Sequence, residues 1–253
     1  MKKILIFGCS FSVGSYEIMS DGKEKFGENS KCWYHFVDYF KDKDVTVIAC
    51  PAQGYWGYYQ IILHLHEESK LILYDEIWIQ ETWEPRPTIN NYNVISRLFF
   101  NQIDHIKLSI VHDQPDFSKN VKNFIFNYSE NILNLNGTIE KYKPYSLWRT
   151  FFIEMGNSCA YKINKLCKKG NIKGYVWSMM NPIMNCGVSD SSTSGFTRLP
   201  LTYVYLKLKE AEKNKNFLAK PAVIHGLFEG HQTEEGNKFI GELINKACID
   251  IKI

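Results

Sequence analysis

The segment Lys2–Ser12, KKILIFGCSFS, constrains the fold more than any other part of the chain. Ile4–Phe7 is wholly apolar and strand-forming, and it breaks at Gly8, as a strand buried on both faces of a parallel sheet does. Gly8-Cys9-Ser10 then turns the chain and leaves a hydroxyl at the carboxyl edge of that strand. Open α/β sheets carry their chemistry at that edge, in the crevice where the strand order reverses, so Ser10 is the first candidate residue.

The rest of the chain repeats the alternation of strand and helix. Val45–Cys50 (VTVIAC) reads as a second strand, followed by the turn Pro51-Ala52-Gln53-Gly54 and a helix from Tyr58 to Ser69. Tyr74–Gln80 (YDEIWIQ), Ile172–Met179 and a short Ala222–His225 read as three more strands. Helices are expected at Cys32–Phe40, where Trp33, Phe36, Val37 and Phe40 share one face, and at Leu147–Leu166, Tyr203–Asn214 and Phe239–Ala247. This pattern predicts one three-layer α/β/α domain over residues 1–253, with a flavodoxin-like parallel sheet of about five strands. Residues 87–170 show no strand alternation and mix Asn-rich stretches with aromatic clusters, so an inserted helical cap over the active edge is expected there. Residues 183–200, rich in Ser, Gly and Thr, read as a loop over the same edge.

Composition narrows the partners. A net charge of +3 on 253 residues gives no reason to expect nucleic acid or an anionic membrane. Seven cysteines, with no C-x-x-C spacing, indicate neither a disulfide framework nor a zinc site and fit reduced thiols in a cytoplasmic protein. Lys2-Lys3 before ILIFGC mimics an export signal, but its apolar run is too short, and no other run is long enough to span a membrane. His64 and His66 lie two apart on the expected helix and face different ways, and His35 sits off the apolar stripe. No metal or cofactor is expected. Neither G-x-G-x-x-G nor a Lys-containing phosphate loop is present, which argues against a nucleotide site. Aromatics at 15% fit either a wide core or a ring-stacking surface for sugars.

Gly8-Cys9-Ser10-Phe11-Ser12, with Gly14 after it, resembles the first motif block of the SGNH, or GDSL, hydrolases, in the branch where Cys replaces Asp before the nucleophilic serine. Gly54 matches the second block, a glycine whose backbone N–H lines the oxyanion hole. The third block departs from the pattern: counting from Asp75, Thr82 and Glu84 stand where the family has Gly and Asn. A carboxylate does not donate, so Thr82, with Gln80 in reserve, is the donor carried over; Gln80, Thr82 and Arg86 resemble the Gln-x-Thr…Arg of the branch. Arg86 and Trp83 are the candidate substrate-binding residues. Phe228-Glu229-Gly230-His231 running to Gly236 resembles the last block, with Phe228 where many members have Asp and Glu229 two residues before the histidine. The resemblance implies a serine esterase with Ser10 as nucleophile, His231 as base and Glu229 as its acid, acting on a small-molecule or glycan ester. An acyltransferase using the same serine, or a degenerate member kept for carbohydrate binding or assembly, are the alternatives; the sequence leaves oligomeric state open.

Overall fold

The computed structural model describes residues 1–12, 14–18, 24–26, 31–49, 54–81, 88–89, 92–93, 144–179, 195–201, 204–211, 217–218 and 232–253. Five parallel strands form its centre: β1 (Lys3–Gly8), β2 (Asp44–Ala49), β3 (Glu76–Glu81), β4 (Lys173–Ser178) and β5 (Phe196–Arg198). Their order is β2-β1-β3-β4-β5, the flavodoxin-like order expected from the sequence. Among the described residues four α-helices accompany them: α1 (Tyr55–Glu67), α2 (Pro144–Lys169), α3 (Val204–Ala211) and α4 (Glu234–Asp250). Two short antiparallel pairs, Tyr16–Ile18 with Glu24–Phe26 and Thr88–Ile89 with Tyr92–Asn93, lie outside the main sheet.

Strand periodicity sorts the core into two layers. Leu5, Phe7, Ile77, Ile79 and Val176 point to one face and pack with Tyr58 and Ile62 of α1 and Ala160 and Ile163 of α2. Ile4, Ile6, Trp78, Tyr175 and Trp177 point to the other, where Trp33, Val37, Phe40, α3 and α4 cover them. Ile4 to Phe7 are all at 0% exposure, which is why β1 has no polar alternation. Among the described residues no helix is long and apolar enough to cross a membrane.

The structure corrects several expectations. Cys32–Phe40 is not one α-helix but two 3-10 turns, Trp33–Phe36 and Asp38–Phe40, separated at Val37, whose backbone is extended at φ −90° and ψ 115°. The β-branched Val37 is comfortable there, and the break still buries Trp33, Val37 and Phe40. The fifth strand described is Phe196–Arg198, inside the segment read as a loop; the expected strand Ala222–His225 lies outside the described residues. The long helix at 147–166 is present as α2, but from Cys159 onward it packs in the sandwich layer against α1. Most of the expected cap insertion at 87–170 lies outside the described residues; its carboxyl part is α2, which leads into β4. Helix α4 begins at Glu234, five residues before its apolar period. Thr233 caps it through Oγ1, which accepts from Gly236 N at 3.2 Å, and Glu234 and Glu235 suit its first turn.

At the amino edge of the sheet, the fully buried Glu76 is enclosed by donors: Lys2 Nζ at 2.9 Å and Tyr39 OH at 2.7 Å on Oε1, and Trp78 Nε1 at 3.2 Å on Oε2. The hydrogen bond to Glu76 raises Lys2 above its ordinary 10.5, while burial, then the bond to Glu76, raises Tyr39 above its ordinary 10.0. A raised folded-state value means stability that is complete below the unfolded value and lost as pH climbs toward the folded one. The wild-type urea midpoint is therefore expected to fall as pH rises past about 10. The double variant Lys2→Met/Tyr39→Phe is expected to be less stable at pH 8, with the gap closing above pH ~10.5; a gap independent of pH would refute the linkage.

Candidate functional site

The strand order reverses between β1 and β3. The connection leaving β1 crosses one face of the sheet through the Trp33–Phe40 turns, and the connection leaving β2 crosses the other through α1. A crevice opens outside the carboxyl ends of β1 and β3 for that reason. Ser10 lies at this edge, as the first residue of the 3-10 turn Ser10–Ser12.

The turn is held from below by Ser12, Gln80 and Trp33. Ser12 N donates to Cys9 O at 2.8 Å, and the Ser12 side chain folds back over Gly8. A Cβ on Gly8 would lie 2.1 Å from Ser12 Oγ, so only glycine lets the turn close this tightly. Ser12 Oγ accepts from Trp33 Nε1 at 2.9 Å and donates to Gln80 Oε1 at 2.5 Å; Gln80 Oε1 also receives Cys9 N at 3.4 Å. Ser12 is thus a fully buried, satisfied hydroxyl. It is the oxygen of Gln80 that meets the turn. Its Nε2 is buried with no hydrogen-bond partner among the described residues.

Gly54 is the buried N-cap of α1, in extended conformation at φ −142° and ψ −167°. One turn further on, Tyr58 N donates to Gly54 O at 3.1 Å, the Tyr58 ring lies 5.3 Å from Phe7, and its hydroxyl reaches Gln80 O at 3.5 Å. These contacts fix the start of α1 beside the ends of β1 and β3.

Glu81, the last residue of β3, is 5% exposed and meets Arg198 of β5 in a two-pronged ion pair at 2.6 and 2.9 Å. Tyr55 OH donates to the same carboxylate at 2.9 Å. Burial first, and then the Glu81 charge, push the Tyr55 phenol well above its ordinary value, so it remains a donor. The cluster ties β3, β5 and α1 together at the carboxyl edge. Sequence reasoning did not find it, since Arg198 sits in a stretch with no strand signal.

Of the other expected site residues, Thr82, Trp83, Arg86, Glu229 and His231 lie outside the described residues. The residues that follow His231, from Gln232 on, are described. Gln232 pairs with Leu218 in an antiparallel bridge, and Thr233 N donates to Phe217 O at 2.9 Å. Gly236 lies so close to this strand that a Cβ would sit 2.1 Å from Phe217 O. Gln232 Nε2 donates to Phe11 O at 2.6 Å and to Asn237 Oδ1 at 3.1 Å. Asn237 also accepts from Trp33 N at 3.1 Å and donates to Ser15 Oγ at 2.8 Å. A signal for Asn237 existed in the sequence: it occupies the buried stripe of α4 with Ile240, Ile244 and Cys248.

The five described cysteines, Cys9, Cys32, Cys159, Cys167 and Cys248, are buried and form no disulfide. Burial raises the thiols of Cys159 to about 11 and of Cys167 and Cys248 to about 12, and raises Cys32 as well, so they are unreactive packing groups. Among the described residues, no group of three or more His, Cys, Asp and Glu side chains gathers where it could hold a metal ion.

No protein-family model matches this sequence, and no curated protein matches it. Among solved structures it is similar to the lipase Lip_vut3 from a goat rumen metagenome, at 10% identity over 98% of this chain and 97% of that one, with a TM-score of 0.44. It is similar also to the psychrotrophic esterase EstA of a Pseudoalteromonas species, at 11% identity, 99% and 98% coverage and a TM-score of 0.45. A GDSL-like lipase of Bacteroides thetaiotaomicron gives 11% identity, 99% and 89% coverage and a TM-score of 0.44.

Removing Arg198 strands a buried carboxylate. Arg198→Ala is expected to lower unfolding free energy by about 3 kcal/mol in denaturant titrations, and Glu81→Gln/Arg198→Ala by less than that single change. Strict additivity of the two substitutions would show that the pair is not coupled.

Proposed function

We propose that this chain is a serine esterase of the SGNH type, which removes an acetyl or other small acyl group from a carbohydrate or similar ester. The observation that carries the reading is the 2.6 Å hydrogen bond from Gln232 to the carbonyl of Phe11. It joins the residue after His231 to the residue after Ser10, 221 positions apart, at the crevice where a doubly wound sheet does its chemistry.

In this mechanism Ser10 Oγ attacks the ester carbonyl while His231 takes its proton and passes it to the departing alcohol. Water, activated by the same imidazole, then releases the acid from the acyl-enzyme. Glu229 orients the imidazole. The N–H groups of Ser10 and Gly54 face the oxyanion, with the Thr82 hydroxyl as third donor. Gln80 has only its amide nitrogen to contribute, since its oxygen is engaged by Cys9 and Ser12. Each such donor is worth about 2.7–4 kcal/mol, so an oxyanion site without the family's Asn turns over slowly, by a factor of about 10² to 10³. Trp83 and Arg86, which follow β3, contact the substrate: the indole stacks on a sugar ring and the guanidinium pairs with its polar groups. Cysteines that form no disulfide fit a reducing, cytoplasmic setting.

A second reading has its own support. Glu84 in the Asn position and Phe228 in the Asp position favour a degenerate member that binds carbohydrate without cleaving it. An acyltransferase would share Ser10 and differ only in the acceptor.

Treatment with a fluorophosphonate probe, followed by intact mass, separates these. A single adduct is expected on the wild type and none on Ser10→Ala or His231→Ala, with p-nitrophenyl acetate hydrolysis lost in parallel by a factor above about 10³. An unlabelled wild type, beside a control esterase that labels, would favour the binding module.

A further inference from the structure

Gln232 is fully buried, and its partners fix which way its carboxamide faces. Both hydrogens of Nε2 are used, one on Phe11 O at 2.6 Å and one on Asn237 Oδ1 at 3.1 Å. Its Oε1 is buried with no hydrogen-bond partner among the described residues. An amide oxygen left in that condition costs stability, and a methionine would fill the same volume without it. What the position requires is therefore the nitrogen.

Both ends of the bridge are independently anchored. The 232–233 backbone is tied to Leu218 and Phe217, and Thr233 caps α4. Phe11 belongs to the turn that Gln80 and Trp33 hold through Ser12. Asn237 ties α4 to Trp33 and Ser15 on either side of that turn, and the Gln232–Phe11 bond reaches the turn itself, at the residue next to Ser10.

We propose that Gln232 is a positioning residue that sets the register between Ser10 and His231 by linking the residue that follows each of them. The inference rests on the esterase reading and deepens it. Proton transfer requires the serine oxygen and the imidazole nitrogen within about 2.6–3.2 Å of one another, and an error of about 1 Å costs up to about 100-fold in rate. Neither Phe11 O nor Gln232 Nε2 touches substrate; they act through their neighbours.

The test is the rate of fluorophosphonate labelling of Ser10 in the full chain, followed by intact mass from pH 5 to 9, with thermal melting as a check on folding. Gln232→Met, which loses two buried hydrogen bonds, is expected to melt below the wild type yet stay folded at the assay temperature, and to label at least about 10-fold more slowly at every pH. Gln232→Glu carries the distinguishing signature. Its ionised carboxylate faces two acceptors, Phe11 O and Asn237 Oδ1, and burial raises its pKa. Its deficit relative to wild type is therefore largest at pH 8–9 and shrinks toward pH 5, where the protonated carboxyl again donates. A folded Gln232→Met that labels at the wild-type rate overturns the inference, as does a Gln232→Glu deficit that is the same at every pH. Absence of labelling on the wild type instead overturns the esterase reading, so the two failures are told apart.

Discussion

Asn237 is the side chain on which the described site depends. Its oxygen receives Trp33 N and Gln232 Nε2, its nitrogen donates to Ser15 Oγ, and Cys32 Sγ, Gly14 O and Lys31 O lie at 3.4–3.6 Å. One carboxamide therefore reaches the loop after the serine turn, the first 3-10 turn and the segment beside the histidine. In a water-free interior such bonds strengthen one another, and loss of the centre leaves several buried groups unpaired at once. The apolar stripe of α4 supplies the attraction that holds the helix on the sheet; Asn237 determines where along it the helix stops sliding.

Buried carboxylates at both ends of the sheet are satisfied, Glu76 at the amino edge and Glu81 at the carboxyl edge. At the amino edge the one buried carboxylate, Glu76, has donors on both oxygens. Among the described residues four buried side-chain atoms lack hydrogen-bond partners: Gln80 Nε2, Gln232 Oε1, Trp177 Nε1 and Asn164 Oδ1, the last lying against Gly195 where β5 begins. Natural sequences satisfy nearly all such atoms, and exceptions gather where a chain serves something other than its own stability.

The sheet was legible in the sequence: Ile4–Phe7 and Ile77–Ile79 read correctly from apolar runs buried on both faces, and the partly exposed edge strand Val45–Ile48 from its β-branched residues, and their chain order gave the winding. Phe196–Arg198 was not legible, since three residues at the sheet's edge carry no period, and the residue that matters most there, Arg198, is charged. The break at Val37 was hidden because two 3-10 turns present the same buried positions as one helix would. At the site, Ser10 and Gly54 were marked by glycine turns after strands. Gln80 and Glu81 were visible as residues at the end of a strand, but their partners were not: nothing in a local window connects Gln80 to Ser12 or Gln232 to Phe11. Such pairs arise only once the fold has brought remote segments together.

The dependence of the first turns on α4 has a consequence in time. Trp33 N and Asn237 are 204 residues apart, and Asp38 N is bound by Asn245 across 207. A ribosome adding about 5–20 residues per second takes roughly 10–40 s to cover that distance. Through that interval β1 and the Ser10 turn exist without the helix that covers their aromatic face. The packing of the Trp33–Phe40 turns is therefore completed only once α4 has been made, long after the strand beside which they lie.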